Sequence, residues 1–474
     1  MWKAALFAML VATPAMADDH QPKNIIVMIA DGAGYNMLGA TRQWTGEPLV
    51  VDGHGWRRAA LATYALRREQ EGEGQDQDLV YTSAKAWDAR PQAGQSECDD
   101  SFEMGFVGYE WHRCTYPDSA GTMTAMMTGV RSYNGALNVD GDRARLVSAA
   151  ELAKAADKRV GAVSSVPFTH ATPAAGGGAH NISRRNYHAI ANELLTSPTL
   201  DFIAGGGHPD YDMSGLPHAE DVSEDDRFEW LSPADWAGLQ DGSLGWRLIE
   251  DRTDIVAGDR LGGDERVIIL PRVGGTLQAF RRRDIEIDVA TTAPGDVPLT
   301  ATVPVLTELT RAALSHLAGD DDGLFLVVEG GAVDWAMHQN VLGRAIEEYM
   351  DFDASVRLVS DWISEDGNGS SWDDTLLIVT ADHDHLLFGP DADVPFQPTE
   401  DRGEGVLPGH RWWFSSHSNQ LVPFFAKGLG AETFMAAADE MDLVRSADGV
   451  RRGRGLYLTQ PEMGRALVEM IDGD

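Results

Sequence analysis

The chain is expected to fold as an α/β protein with a large, mostly parallel central sheet and helices on both faces. Three observations lead there. Apolar runs without alternation, at residues 24–30, 324–328 and 376–380, suit strands buried on both faces, as in a parallel sheet. Strand and helix signals alternate along most of the 474 residues, which favours one α/β unit over 18–474 rather than several domains. Each of the three runs also leads into metal-ligating side chains: Asp31; Glu329 with Asp334 and His338 beyond it; Asp382 and His383. In open α/β sheets ligands bind beyond the carboxyl ends of the strands, so these groups are expected to meet at one edge.

The elements follow in order. Residues 1–17 read as a leader peptide: Lys3, a short apolar core at 4–12, and Ala15-Met16-Ala17 as a cleavage signal, with export to a bacterial periplasm or secretion. A disordered tail or a membrane anchor is the rival reading. The core is too short to span a bilayer, and no later run approaches the roughly 18 apolar residues a membrane helix needs. Residues 55–75 read as a helix leading into an exposed polar loop around 69–77. Residues 118–130 form a helix, with Asp118 or Ser119 at its cap. A helix at 149–157, a strand at 159–166, a helix at 186–195 and a strand at 201–204 ending in Gly205-Gly206-Gly207 come next. Between 208 and 263 the periodicity weakens, as expected of an insertion with short helices over the sheet edge. Its His208, Trp230, Trp236 and Trp246 suit packing better than a lining of the site. Residues 285–302 link to a helix at 303–317, then the 324 strand and a long amphipathic helix at 344–363. A final strand at 421–426 is preceded by His417.

The formal net charge of −36 argues against nucleic acid as a partner, because phosphate backbones are bound by Lys/Arg patches. It suits a solvated surface in salty water, and it would slow anionic substrates unless the site is locally positive. Cys98 and Cys114 are the two cysteines. In an exported chain they support a disulfide contributing on the order of 3 kcal/mol, with two free thiols as the alternative.

Zinc takes imidazole and carboxylate and keeps a position open when catalytic. Asp31, Glu329, Asp334, His338, Asp382, His383 and His417 offer more ligands than one zinc needs. Two metals about 3.5–4 Å apart can clamp both oxygens of a phosphoryl transfer. Ser119 sits at a helix start, where the macrodipole favours negative charge, which makes it a nucleophile candidate; taken alone, a capping role is the commoner use of Asp118 and Ser119. Thr172 can offer a hydroxyl to a hard cation and Arg184 a bidentate grip on phosphate, although each is also an ordinary loop residue.

Together these motifs resemble the alkaline phosphatase family: Asp31-Gly32, Asp118-Ser119-Ala120-Gly121-Thr122, His170-Ala171-Thr172-Pro173, Glu329-Gly330-Gly331 through Asp334 to His338, Thr380-Ala381-Asp382-His383, and His417-Ser418. The resemblance runs from about residue 24 to 430 and is weakest across 208–263. It implies a phosphomonoesterase, commonly a homodimer, acting on small phosphate monoesters with two Zn and one Mg. Ser119 would be phosphorylated and then released by a zinc-activated water. One zinc would be held by Asp334, His338 and His417, the second by Asp31, Asp382 and His383 beside Ser119. Asp31 would bridge to the Mg, whose other protein ligands are Thr172 and Glu329. Arg184 would grip the phosphoryl group, oriented by Asp118.

Two departures from the family pattern matter. His170 stands where some members carry an Asp that reaches the third metal through water, so Mg should bind less well and Zn should compete. Trp335 stands where some members carry a Lys that holds phosphate through water, so product should bind less tightly. The rival readings are a phosphodiesterase or nucleotide pyrophosphatase with the same two-metal core, and a catalytically silent metal- or phosphate-binding protein of the cell envelope.

Overall fold

The computed structural model describes residues 21–68, 75–76, 80–92, 94, 96, 105–257, 261, 263–282, 284–365 and 368–473. The leader at 1–17 and Cys98, half of the expected disulfide, lie outside the described residues; Cys114 closes the helix Val107–Cys114.

Among the described residues eleven strands form one sheet, seven of them in an unbroken parallel run. Across the sheet that run reads Thr375–Thr380, Asn24–Ile29, Leu324–Glu329, Arg159–Pro167, Phe202–Gly206, Arg266–Ile269 and Trp246–Ile249. Every residue of the three strands at its start is buried, which requires cover on both faces and explains their unbroken apolar runs. Two helix groups supply that cover. Ser119–Thr128 packs with Gln460–Asp472 and Ala171–Gly176, and the 23-residue helix Leu342–Ser364 packs with Leu306–Leu317 and Tyr35–Thr45.

Two sequence expectations are corrected, and the direction of a third strand is new. Part of the expected 55–75 helix is the strand Arg57–Ala62, whose outer half is exposed while its inner half packs between Val422–Gly428 and Arg451–Thr459. Tertiary pairing overrides the helical propensity of its alanines and arginines. The 208–263 segment does contain short helices, but Trp246–Ile249 is itself the outermost strand, paired with Arg266–Ile269. The strand after His417 runs antiparallel to Thr375–Thr380. Its beginning therefore lies where its neighbour ends, and the strand Arg411–Ser418, which carries His417, leads directly into it.

A loop-to-helix tie carries a pH dependence. Both ring nitrogens of His180 face acceptors, Glu193 Oε1 at 3.0 Å and the Leu146 carbonyl at 2.7 Å, an arrangement only the imidazolium satisfies. Burial opposes the charge, but Glu151 and Glu193 win and raise the pKa to about 9. This stability is fully present below the unfolded value of about 6.5 and is lost as pH rises through 9. His180→Asn should flatten the decline in Tm between those limits; an unchanged profile would remove His180 as its source.

Candidate active site

The carboxyl ends of the parallel strands deliver the expected residues to one place. Register sets Ile29 level with Thr380 and Glu329, and Glu329 level with Ser164, so Asp31, Glu329, Asp382, His383 and the 170–172 turn share an edge. The Asp31-Gly32 turn depends on glycine. Gly32 has φ +73°, and a Cβ there would meet Met337 Cε at 2.8 Å. Its amide donates to Asp382 Oδ1 at 3.0 Å. The hairpin Asp384–Phe388 with Arg411–Ser418 pairs His385 with His417 and carries both to the same edge.

Asp334, on the helix Ala332–His338, is the hub of one cluster. His338 Nε2 is 3.3 Å and His417 Nε2 3.4 Å from its carboxylate, and His385 Nε2 donates to it at 2.7 Å. His338 and His417 point their Nε2 atoms at each other across 3.0 Å, while each Nδ1 donates to a carbonyl, of Ser415 and Pro117 respectively, at 2.8 Å. With an Nδ1 proton of each ring given to a carbonyl, the two Nε2 atoms and a carboxylate converge on one point, an arrangement that a cation satisfies by taking the place of any proton on Nε2. Burial pushes the Asp334 carboxyl up, but the three histidines, His338 foremost, hold it well below the usual range. Burial lowers His338, and Asp334 more than offsets this, raising it to about 9.

The second cluster is acidic and wholly buried. His383 Nε2 lies 3.3 Å from Asp31 Oδ1 and 3.3 Å from Asp382 Oδ2, and its ring stacks on His417 with centroids 3.6 Å apart. Ser119 Oγ is 3.3 Å from both Asp31 Oδ2 and His383 Nε2. Burial, then Asp382, Asp334 and Glu329, raise Asp31 well above the carboxylate range. Burial likewise raises Asp382 and pushes Glu329 up to about 7. Carboxylates gathered this closely at full burial repel one another until a cation is placed among them. Asp31, Glu329 and His170 offer donor atoms within 4.8 Å of one another, as do Asp31, Asp382 and His383. Beside the first of these groups, Glu329 Oε1 and Thr172 Oγ1 are buried and have no hydrogen-bond partner among the described residues. The donor set of imidazole and carboxylate at two clusters, with carboxylate and hydroxyl at a third, fits zinc at the first two and a hard cation at the third.

Ser119 is the first residue of its helix and is 1% exposed. Asp118 caps that helix, its Oδ1 accepting from the amides of Gly121 at 2.9 Å and Gly135 at 3.0 Å. Its Oδ2 accepts from Arg184 Nη1 at 3.1 Å. Both readings of Asp118 hold at once: it is a helix cap and an arginine partner. Arg184 Nη2 donates to His170 Nε2 at 3.0 Å. The cleft above Ser119 has a volume of about 470 Å³, and Asp118, Arg184, His170, Trp335, His338 and His417 are among its lining residues.

All twelve candidate residues therefore converge. Two residues outside that set join them, His385, which the sequence offers only as part of Asp382-His383-Asp384-His385, and Gln460. His385 supports Asp334, and its two-residue spacing from His383 on extended chain is the signal that places both on one face. Gln460, the first residue of the helix Gln460–Asp472, donates to the Asp382 carbonyl at 2.7 Å; nothing in the sequence marks it. Of the insertion's aromatic residues, Trp236 and Trp246 are core, as expected, and His208 pairs with Glu250. Among the described residues no helix is long and apolar enough to cross a membrane.

The chain is 28% identical over 323 residues to "Alkaline phosphatase 3" of Bacillus subtilis, a match covering 65% of this chain and 59% of that protein. It is 28% identical over 461 residues to the alkaline phosphatase of Escherichia fergusonii, covering 91% and 86%. Its fold is similar to the solved alkaline phosphatase from the Antarctic bacterium TAB5, with a TM-score of 0.60, 20% identity, and coverage of 95% of this chain and 98% of that one. Residues 73–398, well over half the chain, match the family model described as alkaline phosphatase, and the chain belongs to that family.

Proposed function

We propose that the protein is an exported phosphomonoesterase that transfers a phosphoryl group to Ser119 and then to water. The observation that carries this reading is the placement of the Ser119 hydroxyl, 3.3 Å from both Asp31 and His383, at the foot of a cleft gripped by Arg184. In this family's metal-dependent reaction, Asp334, His338 and His417 would hold one zinc, Asp31, Asp382 and His383 the second, and Asp31, Thr172 and Glu329 a third cation. Bound there, the ions would supply Lewis-acid polarisation and hydroxyl groups ionised near neutral pH.

The protein's own residues do the rest. The helix Ser119–Thr128 presents its N-terminal dipole to the charge that develops at Ser119 Oγ. Asp118 accepts from Nη1 of the Arg184 guanidinium and His170 from Nη2, which orients Arg184 for the phosphoryl oxygens. While His170 Nε2 accepts from Arg184, the neutral ring keeps its proton on Nδ1 and has no second lone pair to give a cation. This supports a weaker hold on Mg at the third site; competition there by Zn would require His170 to release Arg184 and turn that lone pair to the ion.

Comparing p-nitrophenyl phosphate with bis(p-nitrophenyl) phosphate tests the reading: the monoester should have by far the higher kcat/KM, and a preference for the diester would overturn it. Trp335 adds no positive charge to that of Arg184 at the phosphate. Trp335→Lys should tighten inhibition by inorganic phosphate on the order of tenfold and lower kcat where release limits turnover. Unchanged Ki and kcat would contradict that role. His385→Ala should cost about 10- to 100-fold in metal affinity, as for other partners of ligands, read by zinc titration. Export rests on Lys3, the apolar core at 4–12 and Ala15-Met16-Ala17; a homodimer rests on the family likeness.

A further inference from the structure

The cleft above Ser119 has two unlike walls. One is polar and charged and serves the phosphoryl group. The other is aromatic: Tyr187, Phe280 and Trp335 line the same cleft. Trp335 lies 5.6 Å from Phe280 and 6.3 Å from Trp230, centroid to centroid, and Tyr187 lies 4.6 Å from Trp230. His170 meets Trp335 edge-on at 5.4 Å. The four aromatic residues come from separate segments: the start of the helix Tyr187–Thr196, the 208–263 insertion, the loop after Arg266–Ile269, and the helix Ala332–His338. Trp230 is buried behind the others, whereas Tyr187, Phe280 and Trp335 are half-buried and keep surface at the cleft.

Nothing in the transfer of a small, dianionic phosphoryl group requires apolar surface. Aromatic side chains braced against one another lose little freedom on binding and offer faces to a flat ring at stacking distance. Resting on the phosphomonoesterase reading above, we infer that Tyr187, Phe280 and Trp335 form a subsite for the alcohol side of the substrate, and that it selects a flat aromatic ring a short distance from the phosphate.

The test compares kcat/KM for 2-phenylethyl phosphate and 2-cyclohexylethyl phosphate, esters of similar size whose leaving alcohols have similar acidity. The aromatic ester should be favoured about three- to tenfold. The double variant Phe280→Leu/Tyr187→Leu should bring that ratio close to one. Equal kcat/KM in the unaltered protein, or a ratio the double variant retains, would overturn the subsite and leave the phosphatase reading standing. If neither ester were hydrolysed, the phosphatase reading itself would fall, and the subsite with it.

Discussion

Replacing Ser119 by alanine should lower kcat by about three to six orders of magnitude, the range seen when a nucleophile is removed from an otherwise intact constellation. The change removes one oxygen from a buried site: Asp118 holds the helix and Arg184 without Ser119 Oγ, and Asp31 and His383 stay 3.3 Å apart while losing their contacts with the hydroxyl. Zinc content should therefore hold while turnover of p-nitrophenyl phosphate collapses. That pairing separates an enzyme from a binding protein of the same architecture, since a binder keeps its function without the hydroxyl. Turnover within tenfold of the unaltered protein would remove Ser119 as the nucleophile.

Asp334→Ala should produce the second large loss, by a different route. Asp334 is the one carboxylate shared by His338, His385 and His417. Without it, three imidazoles face one another with no anion to favour a cation. The loss in kcat/KM should exceed the roughly 100-fold that removal of a ligand's partner costs, and zinc content should fall with it. Added zinc should restore part of the activity, which a misfolded variant would not show. Full zinc content in this variant would show that Asp334 is not a ligand.

Much of this was legible in the chain because the fold and the chemistry are written in the same segments. The runs at 24–30, 324–328 and 376–380 are fully buried strands, so their composition is fixed by burial, and the ligands follow them directly. What the sequence hid was non-local. Arg57–Ala62 has no strand-like pattern of its own, and it pairs with Val422–Gly428 more than 350 positions away. His417 sits near the end of the strand Arg411–Ser418 in a separate two-stranded hairpin, and its pairing with His385 there, which nothing in the sequence marks, brings it to the site. Gln460 acts through a hydrogen bond to a carbonyl, a role any donor of suitable length could fill. Trp230 reads as a packing residue and is one, but its packing braces Trp335 and Tyr187 at the cleft.

Metal analysis of the purified protein, paired with p-nitrophenyl phosphate turnover before and after chelation, tests the central claim most directly. The account predicts about two zinc ions per chain, loss of turnover with the chelator and recovery when zinc is returned. A protein that holds no zinc as purified, or that hydrolyses the ester equally well after chelation, would contradict it.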